Sequence, residues 1–311
     1  MTYVPDILCI GSALWDTIGR TDRRMDIGHD VPGQITRTPG GVAMNIAMAL
    51  AREGLRPALL TLLGTDEEGR ALAAQAESLG LDTGFVTWSD SLPTDSYMAI
   101  EGAGGLVAAV ADARSLEHAG AQILAPLADG RLGSDAAPFP GMIALDGNLT
   151  TALLTDIAGN PLFAQADLRI APASPGKARR LLPLLPHPRA TVYVNAIEAG
   201  LICGTTFASA EQAALALVAQ GARRVIVTDG AAPLAHATPD GVLSATPPPV
   251  VVARVTGAGD TFMAAHIAAE SRGLAGIFAL EAALGITAAY VAAGSAAAAL
   301  ATGPIPKETA K

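Results

Sequence analysis

Short apolar runs that stop at an amide, an acid or a glycine, and then give way to helical spacing, constrain this chain more than any other feature. Ile7-Leu8-Cys9-Ile10 and the runs at 58–63, 142–146, 168–171, 191–194 and 224–228 have the length and continuous apolarity of strands buried on both faces. Helical patterns follow at 42–51 and 67–79, from Thr150, and from the Ser174-Pro175 pair through Leu182, where serine suits the cap and proline the first turn. Such alternation builds βαβ units, hence a parallel sheet with right-handed crossovers. With 311 residues, 50% apolar and 16% charged, the chain can bury the core that an α/β fold needs.

Two stretches break the rhythm. Residues 17–38 are polar and too long for an ordinary connection in a sheet, and 94–112 reads as a hairpin of two extended runs joined through Gly102-Ala103-Gly104-Gly105. Together, segments 14–38 and 94–112 predict a small added sheet that covers the site as a lid. The uncharged run 282–303 is long enough to span a bilayer. Its alanines, broken by Gly285, Gly294 and Ser295, predict a helix buried in a soluble core, with no membrane partner.

A net charge of −9 argues against nucleic acid as a partner, while leaving room for a small phosphorylated ligand. Cys9 and Cys203 are the only cysteines, and the five histidines show no metal-ligand spacing. With no basic leader before the first apolar run, a reduced, cytoplasmic protein is expected.

The chemistry concentrates in Val255-Thr256-Gly257-Ala258-Gly259-Asp260-Thr261-Phe262. A β-branched run meets two glycines spaced by one and then a helical pattern, which sets the turn on a helix N-terminus. There unpaired N–H groups and the helix dipole favour an anion, and the glycines let it approach the backbone. Asp260 stands where its carboxylate could take a proton from an attacking hydroxyl; read alone, the turn is equally well a capped helix start. A second glycine pair, Gly40-Gly41, precedes another helix bearing Asn45, whose amide can bond a hydroxyl. Asp16, Asp146, Asn195 and Thr228 each follow or end an apolar run and are expected to gather along one edge of the sheet.

Taken in order, four motifs resemble the ribokinase (PfkB-type) family of sugar and nucleoside kinases: Gly40-Gly41-x-x-x-Asn45-x-Ala47, Asn195-x-x-Glu198, Thr228-x-Gly230 and Thr256-Gly257-Ala258-Gly259-Asp260. The resemblance implies a three-layer αβα fold over residues 1–311 with a central, mostly parallel sheet and the small β lid. It implies ATP and Mg²⁺, with Asn195, Thr228, Gly230 and Thr256 at the nucleotide, and Glu198 and Asn195 arranging magnesium through water. Asp16, Gly40, Gly41, Asn45 and Asp146 would hold the acceptor. Asp260 would be the base, and Gly257, Ala258 and Gly259 would stabilise the transferring phosphoryl group. Relatives often pair through the small sheet, so a homodimer through the lid is implied.

Within the family, Leu145-Asp146-Gly147-Asn148-Leu149, the stretch 172–179 and the 97–112 hairpin are similar to pseudouridine kinases. Phosphorylation of the 5′-hydroxyl of a nucleoside, pseudouridine first, is expected, with ribose, fructose or adenosine as alternative acceptors. Leu14 stands where many relatives carry Asn, and Ala171 where pseudouridine kinases tend to carry Asp. Arg254 stands where potassium-activated members carry an Asp ligand; a guanidinium has no acceptor, so potassium activation is not expected. A dinucleotide-binding oxidoreductase is the reading from another class, but Gly11-Ser12-Ala13-Leu14-Trp15 lacks the G-x-G-x-x-G turn. A catalytically silent nucleotide binder is disfavoured by the intact Asp260.

Overall fold

The first apolar run shows how the layers arise. In β1 (Ile7–Ile10) every side chain is withdrawn from water, with Leu8 and Ile10 packing into one apolar cluster and Ile7 and Cys9 into another. Successive side chains of a strand point to opposite faces, so this run demands cover on both sides. Each such buried aliphatic side chain contributes roughly 1.5–3 kcal/mol. The computed structural model describes residues 4–26, 28–103 and 105–293.

The N-terminal part continues with β2 (Leu14–Arg20), β3 (Gln34–Gly40), α1 (Val42–Arg52), β4 (Pro57–Leu60), β5 (Leu62–Gly64), α2 (Glu67–Ser78), β6 (Thr87–Ser89), β7 (Ser96–Gly102) and β8 (Gly105–Asp112). Next come α3 (Arg114–Ala119), α4 (Ala125–Ala128), β9 (Met142–Asp146), α5 (Thr151–Gly159), β10 (Asp167–Ala171), β11 (Ala190–Asn195), α6 (Ala196–Cys203) and α7 (Ala210–Ala219). The chain then forms β12 (Val225–Asp229), β13 (Ala232–Thr238), β14 (Gly241–Ala245), α8 (Ala258–Ser271) and α9 (Ile277–Ala292).

Eight strands form the large sheet in the order β14-β13-β12-β11-β10-β9-β1-β4. From β12 to β4 all neighbours are parallel, and β13 and β14 close one edge antiparallel. Helices α1, α8 and α9 join the cluster on one face, while α5, α6 and α7 join that on the other, giving the mixed α/β layering expected. A separate four-stranded sheet, β3-β2-β7-β8, is built from both stretches that broke the βαβ rhythm. It extends two residues past the expected limit, to Gly40.

Helix α8 is buried at every position from Thr261 to Ala269. Its alanines allow close approach on all sides, so a helix without an apolar stripe sits in the middle of a layer.

Three local expectations are corrected. Residues 58–63 do not form one strand: β4 ends at Leu60, and β5 pairs with β6 in a sheet of its own. The segment after Ser174 is a 3₁₀ helix, Pro175–Leu184, and the Ser174 side chain caps nothing. Its interior Pro183 lacks an N–H, so a regular α-helix could not run through it. The alanine run is not uniformly buried either: α9 buries Ala283, Leu284 and Ala288 but turns Gly285 and Ala289 to solvent. Residues 294–303 of that run lie outside the described residues, among which no helix is long and apolar enough to cross a membrane.

Candidate active site

The two glycine-bearing motifs, more than 200 residues apart, meet. Helix α1 starts at Val42, which puts Asn45 on its first turn, and packs beside α8, whose first turn carries Asp260. Asn45 Nδ2 donates to Asp260 Oδ2 at 3.0 Å.

Each helix start is built by its glycines. Gly41 caps α1 at φ +91°, a left-handed region that favours glycine, and a side chain there would strike the Ser12 carbonyl. A Cβ on Gly40 would come within 2.1 Å of Asp16 Oδ2, so the absence of a side chain is what lets the Asp16 carboxylate lie against this turn. At the head of α8, Gly257 has φ +78°, and its open side is filled by the Tyr290 hydroxyl, which donates to the Thr256 carbonyl at 3.0 Å. A Cβ on Gly259 would meet nothing within 4 Å. The first turn of α8 therefore faces open space, where the amides of a helix N-terminus can meet an anion. The expected contribution of Ala258 is corrected, because its N–H already donates to the Val255 carbonyl at 3.0 Å.

Electrostatics set this region apart. Burial pushes the Asp260 carboxyl up to about 7; the Asn45 bond pulls the other way, and the negative charges of Asp146, Glu198 and Asp16 add to the rise. Burial also raises Asp16, to about 6. Carboxylates that repel one another beside an open helix N-terminus raise the proton affinity of Asp260 toward neutrality.

The remaining expected residues divide. Asn195 and Thr228 are register partners at the carboxyl ends of β11 and β12, and Gly230 forms the turn just beyond. Asn195 and Glu198 cap α6 reciprocally: Glu198 N donates to Asn195 Oδ1 and Asn195 N to Glu198 Oε2, both at 2.9 Å. Asp16 does not lie on the edge of the large sheet, as expected; it belongs to β2, in the small sheet.

Asp146 reaches the expected sheet edge, yet it is fully buried and spent on the protein. Its Oδ2 accepts from Ser12 N at 2.7 Å, Ser12 Oγ at 2.5 Å and Ala43 N at 3.2 Å, and its Oδ1 accepts from Asn148 N. In place of a free acceptor contact, it ties β9 to the turn after β1 and to the start of α1.

Sequence reading missed three contributors. The Ser12 hydroxyl, besides donating to Asp146, accepts from Val42 N and Asn148 Nδ2, both at 2.9 Å, filling its capacity. Lys177 Nζ donates to Asn148 Oδ1 at 2.6 Å, which brings a cation to this edge. Tyr290 also receives the Arg254 guanidinium over its ring at 3.4 Å. A lone tyrosine in an alanine-rich helix was the available signal for the last.

Residues 4–303 match the family described as pfkB family carbohydrate kinase. The chain belongs to that family. A pseudouridine kinase of Escherichia coli (strain K12) is 27% identical over 263 residues, covering 83% of this chain and 81% of the relative. Among solved structures, a carbohydrate kinase from Agrobacterium tumefaciens matches with a TM-score of 0.76 at 24% identity, covering 96% of this chain and 97% of the other. Arabidopsis thaliana ribokinase, complexed with ribose and ATP, matches with a TM-score of 0.73 at 17% identity, covering 96% and 99%. For a pfkB kinase, the large sheet, the separate small sheet and the glycine-led helix starts are the expected frame, and the oxidoreductase reading falls away.

Proposed function

We propose that this pfkB kinase transfers the γ-phosphoryl group of ATP to the 5′-hydroxyl of a nucleoside, with pseudouridine as the acceptor. The observation that carries the chemistry is the 3.0 Å contact of Asn45 with Asp260 at the open head of α8. It brings an acceptor-side amide and a base to one point. The 27% identity to a pseudouridine kinase supports the family; the choice of pseudouridine rests on the likeness of residues 97–112, 145–149 and 172–179 to pseudouridine kinases.

Asp260, with its carboxyl near 7, takes the proton of the acceptor hydroxyl as that oxygen attacks phosphorus and the bond to the ADP oxygen breaks. The amides of Gly257 and Gly259 stabilise the charge on the phosphoryl oxygens, because their dipoles are fixed before the reaction starts, while the Ala258 N–H holds the turn by donating to the Val255 carbonyl. Asp16, Gly40, Gly41 and Asn45 position the acceptor, while Asp146 acts from behind by fixing Ser12 and the start of α1. Thr228, Gly230 and Thr256 flank the nucleotide.

Magnesium, when bound, neutralises phosphate charge. Glu198 Oε2 is engaged by a backbone amide, and no cluster of three or more ligating side chains occurs among the described residues. Asn195 and Glu198 thus fit an ion held through its waters, the usual habit of magnesium.

The four-stranded sheet serves as the lid over the acceptor, closing against water as a competing nucleophile. Its uncovered Ile35, Met98, Leu106 and Val110 support a homodimer paired through it. The free thiols Cys9 and Cys203 suit a reducing, cytoplasmic setting.

An ADP-release assay with pseudouridine, uridine, adenosine, ribose and fructose tests the acceptor. Pseudouridine is expected to give the highest kcat/KM. A sugar exceeding it would replace the nucleoside reading with a sugar-kinase one, and no ADP release with any acceptor would remove the kinase mechanism.

A further inference from the structure

The opposite edge of the large sheet, where β10, β11 and β12 begin, holds a cavity of about 500 Å³ that the kinase chemistry leaves unused. Its charged lining is Asp167, Arg169, Arg189, Arg223, Arg224 and Asp240. Four guanidinium groups against two carboxylates is a local excess of positive charge in a chain whose net charge is −9.

The arginines are in two states. Arg169 and Arg224 form a fixed floor. Asp167 holds Arg169 through two bonds, at 2.9 and 2.6 Å, and Tyr193 and Glu270 bind it from behind. Arg224 is joined to Glu270 and donates to His236 at 3.0 Å. Counting Glu270 among the acids still leaves one cation in excess. At the rim, Arg189 makes one side-chain bond, at 3.3 Å to the Ala166 carbonyl, and Arg223 has no hydrogen-bond or ion-pair partner among the described residues. Both rim residues are exposed.

We infer that this cavity is a second ligand site, separate from the catalytic one, for a small molecule that carries a phosphate group. Two guanidinium forks with idle donors match phosphate oxygens in pairs, and the rigid floor lowers the ordering cost of binding. The volume suits a sugar phosphate, and Thr238 and Asp240 at the mouth offer hydroxyl partners. Inorganic phosphate shares the recognised group.

Isothermal titration with inorganic phosphate and with ribose 5-phosphate, against chloride at equal ionic strength, tests the site on the wild type, on an Arg189→Glu/Arg223→Glu double variant, and on Gly259→Val, which blocks the anion cradle at α8. The expected result is saturable binding that weakens at least about tenfold in the double variant and survives in Gly259→Val. Tighter binding of the sugar phosphate identifies the larger ligand, and equal affinities identify phosphate itself. An Arg189→Gln/Arg223→Gln variant carries the same expectation if the charge reversal prevents folding. Absence of binding, unchanged affinity in the rim variants, or loss only in Gly259→Val would overturn the site.

Discussion

Asn45, on the first turn of α1, donates from Nδ2 to Oδ2 of Asp260, on the first turn of α8, at 3.0 Å. One side chain thereby lowers the proton affinity of a carboxyl that burial and three neighbouring acids raise. The bond also fixes the carboxylate's direction in the absence of substrate, so little reorganisation is left for the reaction.

Asp260→Asn should cut kcat by about 10² to 10⁴-fold, the usual contribution of a general base, with ATP affinity retained. The same change should stabilise the fold in alkali. The folded-state value of about 7 lies above the ordinary 3.8, so this group's favourable contribution is present at low pH and is lost as pH rises from about 4 to about 7. Thermal melts should therefore place the variant above the wild type at pH 8, with the gap closing toward pH 4. Near-normal turnover would remove Asp260 from its role.

Turnover should rise with pH through about 7 as Asp260 loses its proton. Because the Asn45 bond holds that value down, Asn45→Ala should move the acidic limb to higher pH as well as raise the acceptor KM. A pH profile of kcat/KM, which reports the free enzyme, checks this; a limb that stays in place would show that the bond does not tune the base.

Gly40→Ala puts a methyl group where the Asp16 carboxylate lies, 2.1 Å from its Oδ2. The carboxylate must move, so the acceptor KM should rise about tenfold while the KM for ATP stays within about twofold. Equal changes in both constants would point to a general disturbance of α1.

Arg254, which the family resemblance sets at the position of a potassium ligand, is held in place, its Nε donating to the Tyr290 carbonyl at 3.0 Å and its guanidinium stacked on the Tyr290 ring. Replacing tetramethylammonium by potassium should change kcat by less than about twofold, since a fixed cation repels another. A large activation would show that potassium binds elsewhere.

Val110 is 69% exposed on β8, an edge strand with an apolar run on its surface. Light scattering should give a dimer mass for the wild type and a monomer for Val110→Asp, because a buried unpaired charge opposes the contact. A monomeric wild type would end the pairing through the lid.

The order of motifs, the βαβ rhythm and the two interruptions were legible in the chain because each is local: continuous apolarity marks a strand buried on both faces, and glycine before a helical pattern marks a helix start open to a ligand. Boundaries were legible only in part. Nothing in the 58–63 run announces that the chain leaves the large sheet after Leu60, since both halves are equally apolar.

What the sequence determined by itself was the layered α/β frame and the kinds of groups available to the site, because periodicity and residue chemistry belong to the chain alone. Which groups meet was decided by the tertiary structure. Packing of α1 on α8 brought Asn45 to Asp260, and Asp146, as polar in sequence as Asp16, was consumed by the Ser12 and Ala43 donors that folding placed around it. The physical reason is distance: a carboxylate's proton affinity and freedom depend on burial and on partners within a few ångströms, and residues far apart in the chain supply them.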